Sequence, residues 1–204
     1  MIEIFAHRAL FDSKENSILG IKNYIHRGMG IELDLRIGKH GVYMSHDPLK
    51  DSELFEEACT ILQKTNSKIA LHIKEIEAVS EVVQLIDKYS IPNCFLFDTD
   101  YEKISLLAGG LVEVGFYASE KPENVTAKIL WCDEVKSRWY DNEVISALHQ
   151  QNKILYAVSR ELIEKCSMND ILSDWERLIK LGFDGICTNY PNELMNFKMK
   201  ETYN

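Results

Sequence analysis

The stretch IELDLR at residues 31–36 alternates apolar and charged side chains without interruption. Because successive side chains of a β-strand point to opposite faces, its three apolar residues share one face, and Glu32, Asp34 and Arg36 share the other. Two carboxylates one alternation apart on an enclosed face repel each other and are costly to desolvate unless a cation lies between them. The stretch predicts a metal-binding strand inside an α/β protein or, as the plainer alternative, a solvent-facing strand of an antiparallel sheet.

A second stretch, IALHIK at residues 69–74, shows the same alternation, with His72 and Lys74 on the face opposite the apolar residues. In a (β/α)8 barrel the apolar face packs under the helices, and the other face lines the barrel. The later residues of each strand then lie nearest the C-terminal mouth, where barrel enzymes carry their active sites. Glu32, Asp34, His72 and Lys74 are therefore expected to point into one space.

Short β-type runs alternate with amphipathic helical stretches along the whole chain, which favours one continuous α/β domain over residues 1–204. The predicted strands are 2–7, 31–36, 42–46, 69–74, 94–97, 114–117, 129–132, 154–158 and 184–187. The clearest predicted helices are 76–89, 142–151 and 170–181, and an earlier one carries Ile18, Ile21 and Ile25, with Asp12 or Ser13 as its expected cap and Gly28 or Gly30 as its expected end.

Nine strands are one more than a closed eight-stranded barrel requires. Only residues 37–41 separate the second strand from the third, which is too short for a helical crossover, so this pair is expected to form a hairpin or a bent extension. Which of the two lies outside the barrel is left open. An open doubly wound sheet also alternates strands and helices, but it more often has a Gly-rich phosphate loop after its first strand. The segment AHRALFD at residues 6–12 is unlike such a loop.

Composition excludes several classes of protein. The 204 residues include 23 Lys and Arg against 32 Asp and Glu, giving a formal net charge of −9, which argues against nucleic-acid partners and anionic membrane surfaces. No window approaches the apolar length of a membrane span, and Glu3, His7 and Arg8 interrupt any secretory signal. Five scattered cysteines, an odd number without CxxC spacing, indicate reduced thiols, so a cytoplasmic location is expected.

Histidines stand at the ends of two predicted strands. His7 ends the first strand, and His46, followed by Asp47, ends the third. A single strand-end histidine is more often a hydrogen-bonded structural residue than a catalyst. Two carboxylates and a lysine are expected at neighbouring strand ends, and their presence beside these histidines favours a catalytic site at the barrel mouth.

Five segments resemble the glycerophosphodiester phosphodiesterase family. AHR at residues 6–8, ENS at 15–17 and GIELDLRIGKHGVYMSHDP at 30–48 follow, in order, the family's usual HRG, ENT, ELDV and HDP. LHIK at 71–74 stands in place of the usual EIK strand, and FDGICTNYP at 183–191 is similar to the closing GVDGIITDRP. The resemblance covers both ends of the chain well. In the middle it is limited to the alternation of strands and helices.

The resemblance implies a (β/α)8 barrel of the phospholipase-C-like phosphodiesterase type that cleaves a phosphodiester of glycerol or a related alcohol. The residues that match the family's site are His7 and His46 as the acid/base pair, Arg8 and Lys74 beside the phosphate, and Glu32 and Asp34 as metal carboxylates. Tyr156 matches an aromatic near the site mouth and is expected to bind substrate, with packing in the core as the alternative. Glu15 and Asn16 match ENT, with a role either in helix entry or in support of the site.

Three departures from the family pattern concern the metal and the substrate. His72 replaces the third metal carboxylate, so one divalent ion is expected, Mg²⁺ first, with Mn²⁺, Zn²⁺ or Ca²⁺ as alternatives and His72 as a possible third ligand. About twenty residues separate Pro48 from Ile69, so the usual insertion that helps to cover the substrate is essentially missing. HRA replaces HRG, TNYP replaces TDRP, and a Cβ at Ala9 is expected to tighten the backbone beside the phosphate.

The sequence thus predicts a metal-dependent phosphodiesterase that hydrolyses a glycerophosphodiester or related small phosphodiester to an alcohol and a phosphomonoester by His/His acid–base catalysis. Two alternatives stay open. One is a non-catalytic barrel that binds a phosphorylated ligand, which the replacement by His72 favours. The other is a sphingomyelinase D-like lyase that releases a cyclic phosphate, although that kinship usually accompanies secretion and disulfides.

Overall fold

The computed structural model describes residues 2–48 and 52–202. Its strands are β1 (Glu3–Ala6), β2 (Gly30–Gly38), β3 (Gly41–Met44), β4 (Ile69–Ile73), β5 (Cys94–Asp98), β6 (Glu113–Ala118), β7 (Ile129–Cys132), β8 (Ile154–Val158) and β9 (Gly185–Thr188). Its helices are α1 (Ile18–Ile25), α2 (Phe55–Leu62), α3 (Val79–Tyr89), α4 (Tyr101–Ala108), α5 (Asn142–Gln150), α6 (Met168–Leu181) and α7 (Pro191–Thr202). All nine predicted strands are present, with ends that differ by one or two residues.

Eight parallel strands close into a barrel in the order β1-β2-β4-β5-β6-β7-β8-β9, and β1 pairs with β9 to complete the ring. Among the strands of the described residues, β3 pairs with β2 alone, in antiparallel register and through a tight turn at residues 38–41. The predicted hairpin is therefore confirmed, and β3 is the strand outside the barrel. The predicted (β/α)8 class is confirmed as well.

One crossover lacks its helix. Among the described residues, segment 119–128 connects β6 to β7 with bends and irregular backbone, whereas α1 to α6 serve the other connections and α7 follows β9. A long helix is not needed to join two neighbouring parallel strands if the loop covers the strand ends. The barrel is thus (β/α)8-like, with seven helices around eight strands.

The core divides as the alternation along β2 predicts. Ile31, Leu33 and Leu35 are fully buried and pack outward against the helices, in a cluster that also includes Ile69 and Leu71 of β4. Inside the barrel lies a second, largely aromatic set made of Phe5, Ala70, Phe95, Phe97, Ile129, Trp131, Tyr156, Val158 and Cys187. These side chains fill the lower barrel, and a cavity opens above them at the C-terminal mouth.

The connection from β1 to α1 corrects one prediction. α1 begins at Ile18, and the Ser17 hydroxyl caps it by accepting the Gly20 N–H, so the expected cap at Asp12 or Ser13 is wrong. Asp12 and Ser13 instead lie in a turn with φ of 49° and 61°. The helix starts later because residues 7–16 are used to build a loop over the barrel mouth. Gly28, with φ of 70°, follows the helix as expected.

Among the described residues, no helix is long and apolar enough to cross a membrane.

Candidate active site

A cavity of about 240 Å³ opens at the C-terminal mouth of the barrel. Its walls are formed by the ends of the strands and the loops that follow them. The lining residues are His7, Arg8, Glu32, Asp34, His46, His72, Lys74, Phe97, Tyr117, Trp131, Val158, Leu162 and Cys187. Seven of the eight side chains predicted from sequence thus come together here.

The eighth, Tyr156, does not reach this cavity. It is 3% exposed, and its ring packs in the lower barrel with centroids 4.8 Å from Phe5 and 5.6 Å from Phe95. Tyr156 is the middle residue of β8, in register with Gly185 at the start of β9, and Val158, two positions later, is the residue of β8 that lines the cavity. Its expected place at the site mouth is therefore not found, and it packs in the core instead.

Glu32 and Asp34 project from β2 into the cavity and are almost completely buried. The Glu32 Oε2 accepts the Arg8 backbone N–H at 2.8 Å. Burial raises the pKa of Glu32 well above its ordinary value, and the neighbouring Asp34 charge raises it further. Desolvated carboxylates of this kind favour either a proton or a nearby cation.

The surroundings of Asp34 lower its pKa, in contrast to those of Glu32. Burial raises the pKa of this carboxyl, but the hydrogen bond from His72 and the charges of His72, Lys74 and Arg8 outweigh it and hold the pKa well below its usual range. The His72 Nδ1 and Lys74 Nζ lie 3.2 and 3.7 Å from Oδ1, and the Arg8 Nε lies 3.2 Å from Oδ2. These contacts favour the ionised form of Asp34.

Three side chains could hold a metal ion. One ligand atom each from Glu32, Asp34 and His72 lies within 4.8 Å of the others. That spacing is the span across one ion whose bonds are about 2 to 2.4 Å long, and two carboxylate oxygens with one imidazole nitrogen suit Mg²⁺, Mn²⁺ or Zn²⁺. Among the described residues, no cationic side chain is in hydrogen-bond contact with the buried Glu32 carboxyl, and this is the strongest indication that the residues fit an ion.

His7 and His46 have different partners. The Nδ1 of His7 lies 2.9 Å from the Oδ1 of Asn189, and burial is the main cause that lowers the His7 pKa to about 4. The Nδ1 of His46 lies 2.9 Å from the carboxylate of Asp47. One imidazole therefore faces a neutral amide in a buried setting, and the other faces an anion at the rim.

The loop after β1 places Arg8 beside the carboxylates. Arg8 adopts a left-handed conformation with φ of 50°, and its Nη1 donates to Glu15 at 2.9 Å. The Asn16 side chain bridges to β2, donating to the Asp34 carboxylate at 3.2 Å and accepting the Asp34 backbone N–H at 2.9 Å. Glu15 and Asn16 thus support the site, while Ser17 provides the helix entry.

Sequence analysis did not single out four residues that build the site: Phe97, Tyr117, Trp131 and Asn189. The His72 ring stacks on Phe97 and Tyr117, with centroids 4.7 and 5.6 Å away, and the Tyr117 hydroxyl donates to Asp133. The signal was present, because Tyr117 and Trp131 alternate inward on β6 and β7 in the same way that His72 does on β4. Asn189 follows β9 directly, which is where a barrel strand ends at the mouth.

Fold and site together define a (β/α)8 barrel with three histidines, two carboxylates and two cations at its C-terminal mouth. No family model and no curated protein matches the sequence. Two solved structures from Parabacteroides distasonis are similar: a glycerophosphodiester phosphodiesterase (14% identity, TM-score 0.76, 98% of each chain covered) and a glycerophosphoryl diester phosphodiesterase (15% identity, TM-score 0.78, covering 98% of this chain and 87% of that one). A Ca²⁺-dependent phosphatidylinositol-specific phospholipase C from Streptomyces antibioticus is also similar, at 10% identity and a TM-score of 0.66, with 97% of this chain and 96% of that chain covered. The resemblance seen in the motifs is thus confirmed at the level of the fold.

Proposed function

We propose that this protein is a phosphoric diester hydrolase that uses one divalent metal ion and acts on a glycerophosphodiester or a related small phosphodiester. The observation that carries the proposal is the pairing, around one cavity, of two histidines with unlike partners and a carboxylate-rich ligand set. A barrel that only binds a phosphate has no need of an acid and a base. The similar structures described as glycerophosphodiester phosphodiesterases and as a phospholipase C support the reaction class.

Arg8 and Lys74 are proposed to bind the phosphate of the substrate. Both line the cavity, and both lie within 4 Å of Asp34, so each is anchored by a buried anion while its remaining N–H donors stay available. Negative charge grows on the nonbridging oxygens as a nucleophile attacks phosphorus. Fixed cations at that position stabilise the transition state more than the ground state.

His7 is proposed as the general base. Its buried ring has a pKa lowered to about 4, so it is neutral at neutral pH and can take a proton from water or from a substrate hydroxyl. His46 is proposed as the general acid, because its Nδ1 lies 2.9 Å from the Asp47 carboxylate, a contact that orients the ring at the rim of the cavity. That ring would give its other proton, on Nε2, to the departing alkoxide.

Glu32, Asp34 and His72 would hold the divalent ion, with Mg²⁺ preferred and Mn²⁺, Zn²⁺ or Ca²⁺ as alternatives. When bound, such an ion supplies Lewis-acid stabilisation of the charge that develops on the phosphoryl oxygens. The chain itself orients this ligand set: Asn16 fixes Asp34, the Arg8 backbone fixes Glu32, and ring stacking fixes His72.

We also propose that residues 1–204 act as one domain in the reducing cytoplasm. All five cysteines are free, and Cys59, Cys132 and Cys187 are buried. Burial raises the pKa of the Cys59 thiol to about 12, which leaves it protonated and unreactive.

The test is hydrolysis of bis-p-nitrophenyl phosphate and of glycerophosphodiesters by metal-stripped protein with Mg²⁺, Mn²⁺, Zn²⁺ or Ca²⁺ restored singly. We expect metal-dependent turnover that falls at least about 100-fold in His46→Ala and Glu32→Gln, because each removes a group that acts on the transition state. His40→Ala is the matched control, since His40 lies exposed in the turn between β2 and β3. Absence of turnover on every substrate, with no metal bound, would leave the non-catalytic binding barrel as the better account.

The lyase alternative differs in its product. Attack by water gives a phosphomonoester, whereas attack by a neighbouring substrate hydroxyl gives a cyclic phosphate. Phosphorus NMR of the early products of a glycerophosphodiester separates the two, and we expect the phosphomonoester.

A further inference from the structure

Asn189 lies in the loop after β9 and reaches across to the end of β1. Its Oδ1 is 2.9 Å from the Nδ1 of His7, although 182 positions separate the two residues in the chain. A carbonyl oxygen only accepts hydrogen bonds, so the nitrogen of His7 that faces it must carry the proton. The lone pair of the neutral ring then lies on Nε2, the nitrogen that Asn189 does not contact.

Asn189 is itself held by Glu161, which lies in the short turn after β8. The Oε1 of Glu161 accepts the Asn189 backbone N–H at 3.0 Å and the Thr188 hydroxyl at 2.5 Å. The other carboxylate oxygen accepts the Ser159 hydroxyl. This network ties the ends of β8, β9 and β1 together, so the backbone that carries the Asn189 side chain is held by hydrogen bonds beside His7.

We propose that Asn189, anchored by Glu161, is a positioning residue that holds His7 in the Nδ1–H tautomer with its Nε2 directed into the cavity. The inference rests on the proposed function and deepens it, since it assigns the base nitrogen and the residues that select it. A histidine in the wrong tautomer cannot act as a base at the required atom, and the cost of that error in a hydrolase is large.

The neutrality of Asn189 matters as much as its hydrogen bond. The charged groups that act on His7 are Arg8, Asp34 and Glu15, and their effects oppose one another. Asn189 adds a hydrogen bond without adding an anion, so the ring is oriented without being converted to imidazolium. His46, whose Nδ1 faces the Asp47 carboxylate, has the arrangement suited to the opposite role.

The first test reads the tautomer directly and does not depend on turnover. Long-range ¹H–¹⁵N correlation spectra of the protein, with the His7 signals assigned by comparison with His7→Gln, report which ring nitrogen carries the proton. We expect Nδ1–H at neutral pH in the wild type, and a mixture of tautomers in Asn189→Ala. An Nε2–H ring in the wild type would overturn the proposal.

The second test uses kinetics. Asn189→Ala is expected to lower kcat about 10- to 100-fold while KM changes less than about twofold, because the substrate contacts are retained and only the base is misplaced. Asn192→Ala is the matched control, since Asn192 contacts Arg27 and lies three positions further along the same segment. Equal effects of the two substitutions would contradict a positioning role.

Asn189→Asp separates orientation from charge. A carboxylate still accepts a hydrogen bond from Nδ1–H, so this variant should keep the His7 tautomer. At high pH, Asn189→Asp should therefore recover most of the kcat that Asn189→Ala loses. Its charge stabilises the imidazolium, so the acidic limb of the kcat/KM profile should move to higher pH. Failure of Asn189→Asp to restore kcat at any pH would overturn the proposal. If the wild type shows no turnover, the proposed function is wrong, and the NMR measurement of the His7 tautomer alone then decides whether Asn189 positions the ring.

Discussion

Glu32 and Asp34 show how two like residues acquire unlike properties from their neighbours. They lie two positions apart on β2 and face the same cavity, yet Arg8, His72 and Lys74 surround Asp34 with cationic or donor groups. Glu32 has the backbone N–H of Arg8 as its hydrogen-bond donor. The surroundings of Asp34 therefore favour its ionised form, whereas Glu32 favours its protonated form unless a further cation lies nearby.

Substitution of the two carboxyls should therefore have unequal costs. Asp34→Asn removes the anion that balances Arg8 and Lys74, and we expect a loss of about 3 kcal/mol in unfolding free energy, as for one partner taken from a buried ion pair. Glu32→Gln replaces a carboxyl whose pKa is raised, and in metal-free buffer its cost should stay within about 1 kcal/mol. Urea unfolding with EDTA present measures both, and equal costs would contradict the charge balance described here.

The low pKa of His7 predicts a pH dependence of stability. Its folded pKa of about 4 lies below the ordinary value of 6.5, so between these values the unfolded chain binds a proton that the folded chain does not. The unfolding free energy should thus decrease as pH falls through this window, by about 1.4 kcal/mol per pH unit and about 3 kcal/mol in all.

His7→Gln isolates that contribution, because the substitution removes the titrating group and leaves the other ionisable residues in place. Above pH 7 the unfolding free energies of wild type and variant should change with pH in the same way. Below pH 6.5 the unfolding free energy of the wild type should decrease more than that of the variant. Parallel curves from pH 7 to pH 4 would show that burial does not hold the His7 ring neutral.

At the scale of elements, the close approach of α1 to the loop after β1 fixes the position of Arg8. Ala9 of that loop has φ of 44°, and a Cβ placed on Gly20 of α1 would lie 1.8 Å from the Ala9 carbonyl oxygen. This left-handed conformation is strained for a residue with a Cβ. That the Cβ of Ala9 tightens the backbone beside the phosphate stays a prediction. No side chain other than hydrogen fits at position 20 while the loop keeps its place.

Gly20→Ala is therefore expected to lower the unfolding free energy by about 3 kcal/mol or more and to reduce turnover beyond what the loss of folded protein explains, since Arg8 must move. Gly109→Ala is the control, because Gly109 has φ of 60° and no atom within 4 Å of an added Cβ. That control should cost only about 1 to 2 kcal/mol through its conformation and leave kcat unchanged. Chemical denaturation and steady-state kinetics on both variants provide the comparison.

The sequence predicted the strands better than the connections between them, for a physical reason. Alternation over 31–36 and 69–74 reports burial on two faces, which is a local property of a strand. The start of α1 at Ile18 depends on a loop that folds over the mouth, and the missing helix between β6 and β7 depends on how segment 119–128 covers its neighbours. Neither arrangement leaves a local pattern that distinguishes it from an ordinary turn.

At the scale of the whole molecule, closure of the barrel converts distant segments into one site. β1, β2 and β4 contribute the polar wall, β5 to β7 contribute aromatic rings, and β9 returns to supply Asn189 beside His7. The motifs predicted the polar wall, because those residues have recognisable types and spacing. The aromatic side and the contact between His7 and Asn189 required the order of strands around the ring, which no single segment encodes.

The metal proposal makes its own prediction at this scale, because a ligand that binds only the folded state stabilises the entire fold. At an ion concentration 100 times the dissociation constant, the gain is about 2.7 kcal/mol, which for a chain of this size raises the Tm by about 5 to 10 °C. Differential scanning fluorimetry of EDTA-treated protein, titrated with each divalent ion, should show this shift in the wild type. The shift should vanish in Glu32→Gln and persist in Asp98→Asn, whose carboxylate lies at the end of β5 and is not part of the ligand set. A shift that Glu32→Gln leaves intact would place the ion elsewhere, because Glu32 belongs to the ligand set.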